Sequence, residues 1–162
     1  LAIMEYWKDA GGISKSLPGT SRAADRFVRA SFLLDILPGV VSPTYISGTP
    51  ENSFKFQAPM AVLSLMRSVG TPLGFANEEQ PWVSSTIWRT VSDSTNRVVI
   101  FDSALTPATF WVKLDELDLR PGAPVKKLQL AGGKSYSGNA LRQFVDAKLF
   151  TFQDLTDVAP AK

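Results

Sequence analysis

Any chemistry in this 162-residue chain must come from arginines, lysines, carboxylates and hydroxyls, because the sequence contains neither cysteine nor histidine. No imidazole or thiolate metal site can be assembled from it, and no Ser-His-Asp or Cys-His pair. Carboxylates cluster at Glu78-Glu79 and again at Asp115, Glu116 and Asp118. Paired carboxylates can divide acid–base work, but runs of this kind on loops are more commonly solvated surface. Arginines recur at Arg22, Arg26 and Arg29. A guanidinium stays charged at any working pH and favours a neighbouring anion. Gly132-Gly133-Lys134-Ser135 ends like a phosphate-binding loop, yet the full pattern needs glycine where Leu128 stands. Gly11-Gly12 with Lys15-Ser16 also fails on spacing. Both read as flexible turns. The Gly-x-Ser-x-Gly elbow and the Ser-x-x-Lys pair of serine acylases are absent. No metal and no cofactor is expected.

The composition bounds what can hold these groups. Apolar residues make up 44 %, including 10 Phe, 4 Trp and 3 Tyr, and only 20 % are charged. That is enough for a packed core and too little charge for a solvated, disordered chain. One domain over residues 1–162 is expected. A net charge of +2 implies no nucleic-acid partner. No run approaches the roughly 20 apolar residues of a membrane span, so no membrane partner is expected. Leu1 to Asp9 lacks a basic leader and is broken by Glu5, which argues against a signal peptide there. There is no initiator methionine and the chain opens inside an apolar segment, so it is read as a fragment. Zero cysteines leave the compartment open.

The elements follow from periodicity. A helix is expected from about Ser21 to Leu37, with Ala23, Phe27, Ala30, Leu34 and Leu37 as its apolar stripe. Thr20 or Ser21 would cap it and Pro38 would stop it. A loop rich in Pro and Gly follows from Gly39 to Pro50. A second helix is expected from about Pro59 to Val69, with Val62, Leu65, Met66 and Val69 inward, ended by Gly70. After Pro81 the period changes to that of strands. Trp82–Val91 and Arg97–Asp102 flank the polar turn Asp93-Ser94-Thr95-Asn96, which reads as a hairpin. Further strands are expected over Thr109–Leu114 and Val125–Leu130. Leu141–Phe152 is ambiguous, helical to about Lys148 and then a short strand. Two helices followed by antiparallel strands make an α+β arrangement. The tryptophans Trp7, Trp82, Trp88 and Trp111 would be core packing or the lining of an aromatic pocket.

The stretch Leu17-Pro18-Gly19-Thr20-Ser21-Arg22-Ala23-Ala24-Asp25-Arg26-Phe27-Val28-Arg29-Ala30-Ser31-Phe32 resembles the choloylglycine hydrolase family, which contains penicillin V acylases and conjugated bile salt hydrolases. The likeness continues through Ser84 to Asp93, Val98 to Ser103 and Phe110-Trp111-Val112, and covers most of Leu1 to about Leu130. The segment Tyr6 to Lys15 is closer to the penicillin-acylase-like members of Gram-negative bacteria.

The resemblance implies the C-terminal part of a four-layer αββα N-terminal nucleophile hydrolase. It implies cleavage of a linear, non-peptide C–N amide bond in a small-molecule substrate. In the family an N-terminal Cys attacks the carbonyl and its own α-amine serves as base, with an oxyanion hole for the intermediate. This chain departs from that pattern: residue 1 is Leu and there is no Cys. The nucleophile and its neighbouring Arg, Asp and Asn residues would precede Leu1. Of the family's active-site residues, only the Arg of the Arg-Phe-Val-Arg segment falls within the chain, at Arg26. It would sit beside the nucleophile and favour its thiolate. The plainer alternative for Arg26 is an ion pair with Asp25 or Glu5.

Penicillin V, N-acyl homoserine lactones and bile salt conjugates are the substrates the resemblance suggests. It also suggests export to the periplasm or beyond the cell, a homo-oligomer (a tetramer), and association with the N-terminal half of the same protein. The competing expectation is a remnant without a nucleophile, binding amphipathic acyl or aromatic ligands.

Overall fold

The computed structural model describes residues 17–39, 56–74, 78–79 and 84–152. The elements, in chain order, are α1 (Ala23–Asp35), α2 (Gln57–Ser68), β1 (Trp88–Asp93), β2 (Val98–Ser103), β3 (Thr109–Lys113), β4 (Lys126–Lys127), β5 (Gly138–Asn139) and β6 (Val145–Asp146). Short 3-10 turns stand at Leu114–Glu116 and Leu141–Gln143. The α+β order expected from the sequence is thus present, with helices before strands. Trp7, Trp82, Glu5, the Tyr6–Lys15 segment and the loop beyond Gly39 lie outside the described residues.

The main sheet has the order β1-β2-β3-β5. The first three strands are an antiparallel meander, and β5 joins β3 in parallel through Phe110 opposite Gly138. β-Branched and aromatic residues fill β1 to β3, which suits a pleated, half-buried surface. The hairpin turn is fixed by Asp93, whose Oδ1 accepts the Asn96 N–H at 2.9 Å and whose Oδ2 accepts the Asn96 side-chain amide at 2.7 Å. Arg97 completes that turn at φ 53°, in the left-handed region.

Side-chain alternation divides the sheet into two faces. On β2, Val98, Ile100 and Asp102 are buried beneath α2. Leu63 of α2 meets Val91, Val98 and Ile100 in the core, with Phe56, Val62 and Trp111 packed around them. Phe56 and Trp111 have ring centroids 5.3 Å apart. The opposite face carries Trp88, Phe101 and Phe110, and no helix covers it among the described residues.

Several expectations need correction. The expected stripe of α1 is not its buried face: Phe27 and Leu34 are exposed, and Val28 is buried. Apolar residues surround this helix, so its periodicity does not single out one side. α2 bears out its expectation in part: Val69 is buried and Val62 packs against the core, but the most buried side chains of the helix are Pro59 and Leu63, with Leu65 and Met66 half-buried. Thr20 does not occupy the N-cap, which is Arg22; its hydroxyl accepts the Arg22 N–H at 3.2 Å and donates to the Asp25 carboxylate. The first strand begins at Trp88, because residues 84–87 are irregular. The strand expected over Val125–Leu130 shrinks to Lys126–Lys127, paired with Val145–Asp146. That pairing replaces the helix expected up to Lys148, and a Lys126–Asp146 ion pair closes it.

Candidate active site

Arg26 projects from α1 toward the end of α2. Its Nε donates to the Val69 carbonyl at 2.7 Å. Val69 is the C-cap of α2, where carbonyls lack intrahelical partners and the helix dipole is negative. A guanidinium is well suited to that position. Among the described residues no carboxylate pairs with Arg26, since Asp25 is engaged by Thr20. One nitrogen of the fork is therefore fixed, and among the described residues the arginine is positioned by backbone and not by an ion pair; Glu5, the other expected partner, lies outside them. The neighbouring arginines behave differently. Arg29 donates Nη1 to the Pro18 and Thr20 carbonyls at 2.6 and 2.9 Å, clamping the segment that leads into α1. Arg22 is exposed at the helix start.

Beneath the α2 terminus lies an ionic cluster centred on Asp102. Its carboxylate is buried and receives four hydrogen bonds. Arg67 grips it in bidentate fashion, with Nη2 on Oδ1 and Nε on Oδ2 at 3.1 Å. The Thr109 hydroxyl donates to Oδ1 at 2.8 Å, and Arg89 Nη1 donates to Oδ2 at 3.1 Å. Thr109 also accepts from Arg67 Nη2 at 3.0 Å. The Arg67 hydrogen bonds hold the Asp102 carboxyl below the usual carboxylate range, against a desolvation that pushes it up. Thr109 and the Arg67 and Arg89 charges act in the same lowering sense. Four elements supply this cluster: α2, β1, β2 and β3.

Neither Asp102 nor its partners were among the residues singled out from sequence. A signal does exist for Asp102. It is a charged residue at an inward position of the otherwise apolar series Val98, Ile100, Asp102, and such a residue requires a buried partner.

The other candidates resolve into structural roles. Asp115 pairs with Arg97 at 2.8 Å and Asp118 with Arg120 at 2.8 Å, both at the surface. Glu116 accepts from Asn139 Nδ2 at 2.7 Å and lies 3.6 Å from the Lys113 amine. Glu78 and Glu79 are exposed. Among the described residues no group of carboxylates is arranged to hold a metal ion. No described helix is long and apolar enough to cross a membrane. Gly132 and Gly133 adopt φ 76° and 73°, as flexible turn residues do.

The uncovered sheet face carries a cavity of about 240 Å³. Trp88, Phe101, Phe110, Tyr136 and Lys134 are among the residues that line it. Phe101 stacks on Phe110 with centroids 5.1 Å apart, and Tyr136 meets Phe110 edge-on. Trp88 thus lines a pocket while Trp111 serves the core, so the two described tryptophans divide between the two expected roles.

Comparison with known proteins places this geometry. The family described as "Linear amide C-N hydrolases, choloylglycine hydrolase family" matches residues 3–131. A penicillin V acylase of Pectobacterium atrosepticum is 38 % identical over 165 aligned residues, covering 96 % of this chain and 42 % of that protein. The structure of penicillin V acylase from Agrobacterium tumefaciens superposes with a TM-score of 0.78 at 40 % identity, covering 95 % of this chain and 45 % of that one. The chain thus spans less than half the length of these relatives. The α+β arrangement of two helices and an antiparallel-rich sheet is shared with that N-terminal nucleophile hydrolase. On the match over residues 3–131 and the identity to two acylases, the chain belongs to the choloylglycine hydrolase family of linear amide C–N hydrolases.

Proposed function

We propose that this chain is part of a penicillin V acylase-like amidase whose nucleophile is an N-terminal Cys carried outside these residues. The observation that carries the proposal is the 38–40 % identity to two penicillin V acylases across nearly the whole chain. In this reading Arg26 stands beside the nucleophile. Its charge favours thiolate over thiol, and the α-amine of the Cys takes up and returns the proton. The thiolate attacks the amide carbonyl, an oxyanion hole receives the developing charge, and the amine leaves. Water then releases the acid. Arg26 suits this role because a backbone carbonyl fixes Nε while no described carboxylate neutralises the charge. Penicillin V is the first substrate to test, with acyl homoserine lactones and bile salt conjugates beside it. The periplasm and a homo-oligomer are part of the same proposal.

The experiment is amine release from penicillin V by the full-length protein, wild type against Arg26→Ala. Hydrolysis that Arg26→Ala abolishes while the fold persists supports the reading. No hydrolysis of any of the three amide classes overturns it. A second reading, a binding module for acyl or aromatic ligands, is favoured by the aromatic cavity at Trp88, Phe101 and Phe110. Ligand binding by a full-length protein that hydrolyses none of these amides would support that reading instead.

A further inference from the structure

We propose that Gly70, Arg89 and Asp102 are positioning residues that set the place of the Arg26 guanidinium; this rests on the active-site reading of Arg26. The position of Arg26 depends on the Val69 carbonyl, its hydrogen-bond acceptor at 2.7 Å. The next residue is Gly70, and a Cβ built there would lie 2.5 Å from Arg89 Nη2 and 3.3 Å from Arg89 Cζ. The φ of Gly70 is not in the left-handed region. A side chain at this position would displace the Arg89 guanidinium, so glycine here serves that close approach and not the backbone angle. Arg89 forms the floor on which the α2 terminus rests.

That floor is itself fixed. The Arg89 side chain is only 14 % exposed, and its Nη1 is held by Asp102 Oδ2 at 3.1 Å. The β1–β2 register sets Arg89 directly opposite Asp102. Arg67 and Thr109 occupy the remaining acceptor sites, so the carboxylate has little freedom to turn. Arg67 also holds the turn by its backbone, its carbonyl accepting the Gly70 N–H at 3.2 Å. The series runs from Asp102 through Arg89 and Gly70 to the Val69 carbonyl and Arg26. A buried charge cluster is a poor way to gain stability alone, because desolvation offsets much of its attraction. Placed behind the turn that anchors a charged side chain, it gives that side chain rigid support. Displacements of about 1 Å in such support can slow a reaction by about a hundredfold.

The test is a double-mutant cycle in the full-length enzyme, measured as penicillin V hydrolysis. Gly70→Ala is expected to lower kcat about tenfold with KM held within about twofold. In the Arg26→Lys background, which loses the Nε donor to the Val69 carbonyl but keeps measurable hydrolysis, the same substitution is expected to have no further effect beyond about twofold. Arg89→Lys is carried through the same cycle, so the result stands if Gly70→Ala fails to fold. Equal losses in both backgrounds overturn the relay, as does an unchanged kcat in Gly70→Ala and Arg89→Lys. An unchanged rate in Arg26→Ala overturns the active-site reading, and the relay with it; a loss there with independent effects at Gly70 and Arg89 overturns the relay alone.

Discussion

Arg26 and Val69 are 43 residues apart in sequence, and a single 2.7 Å hydrogen bond from Nε to the carbonyl joins the helices that carry them. The bond separates what Arg26 does for the fold from what its charge does. Arg26→Lys keeps the charge and loses the planar Nε donor. Both Arg26→Lys and Arg26→Ala are expected to lose about 1.5–3 kcal/mol of stability, the range for a hydrogen bond from a charged group. In full-length enzyme, Arg26→Lys should retain measurable hydrolysis while Arg26→Ala should not. Thermal melts and initial rates on the same preparations check both parts.

Removing the Asp102 carboxylate leaves Arg67 and Arg89 facing each other over a buried site. Asp102→Ala is therefore expected to destabilise the protein by about 3–5 kcal/mol, as for other broken buried pairs. Replacing Asp102 and Arg89 together should restore part of the loss. Urea midpoints of the single and double variants decide this.

Acid should weaken the same cluster. Hydrogen bonds hold the Asp102 carboxyl below its ordinary range in the folded protein, so the unfolded chain binds the proton more readily. The associated stability is complete above the unfolded carboxylate value of about 3.9 and is lost as pH falls from there through the lower folded value. Asp93, held down by Asn96, acts in the same direction. Denaturation midpoints at neutral pH and in steps below about pH 4 should fall for wild type and fall less for Asp102→Asn. Equal slopes for the two proteins would show that the acid sensitivity lies elsewhere.

Ile100 is fully buried at the centre of β2. Ile100→Ala should lose about 2–5 kcal/mol through the cavity it leaves. Phe27→Ala, at a position 60 % exposed, should lose far less. A comparable loss at Phe27 in the full-length protein would mean that another element covers α1 there.

Arg97 adopts φ 53° in the hairpin turn. A β-branched residue is strained there, so Arg97→Val should cost about 1–2 kcal/mol, whereas Arg97→Gly should not. The ion pair lost with Asp115 is exposed on both sides and contributes little. Melting temperatures of the two variants provide the comparison.

The hairpin was legible in the sequence because its signals are local. Val98-Val99-Ile100-Phe101 reads as strand by composition, and Asp93 and Asn96 fix the turn themselves. The stop of α1 was legible for the same reason, with Pro38 just beyond it, whereas its start falls at Ala23 behind Arg22 and not at the expected Thr20 or Ser21 cap. Its buried face was not, since Phe27, Val28 and Leu34 lie around the helix and only the surrounding packing selects Val28. The tail departs from its local helical preference because Val145–Asp146 pairs with Lys126–Lys127. Within the proposed site, Arg26 stands out only through the family resemblance of the segment around it, while Asp102 and its arginines belong to no local motif. Arg67 is 35 positions from Asp102 and Arg89 is 13, and no spacing rule connects them across a helix and a hairpin.

The opposed placement of Arg89 and Asp102 on neighbouring strands also bears on how the chain reaches its native state. The meander β1-β2-β3 is built from sequence neighbours, so its loops close cheaply and early. Strand pairing alone is enough to set Arg89 opposite Asp102. Arg67 comes with α2, whose docking covers the carboxylate. The folded arrangement thus gives this carboxylate one cation from the neighbouring strand and a second from the helix that covers it.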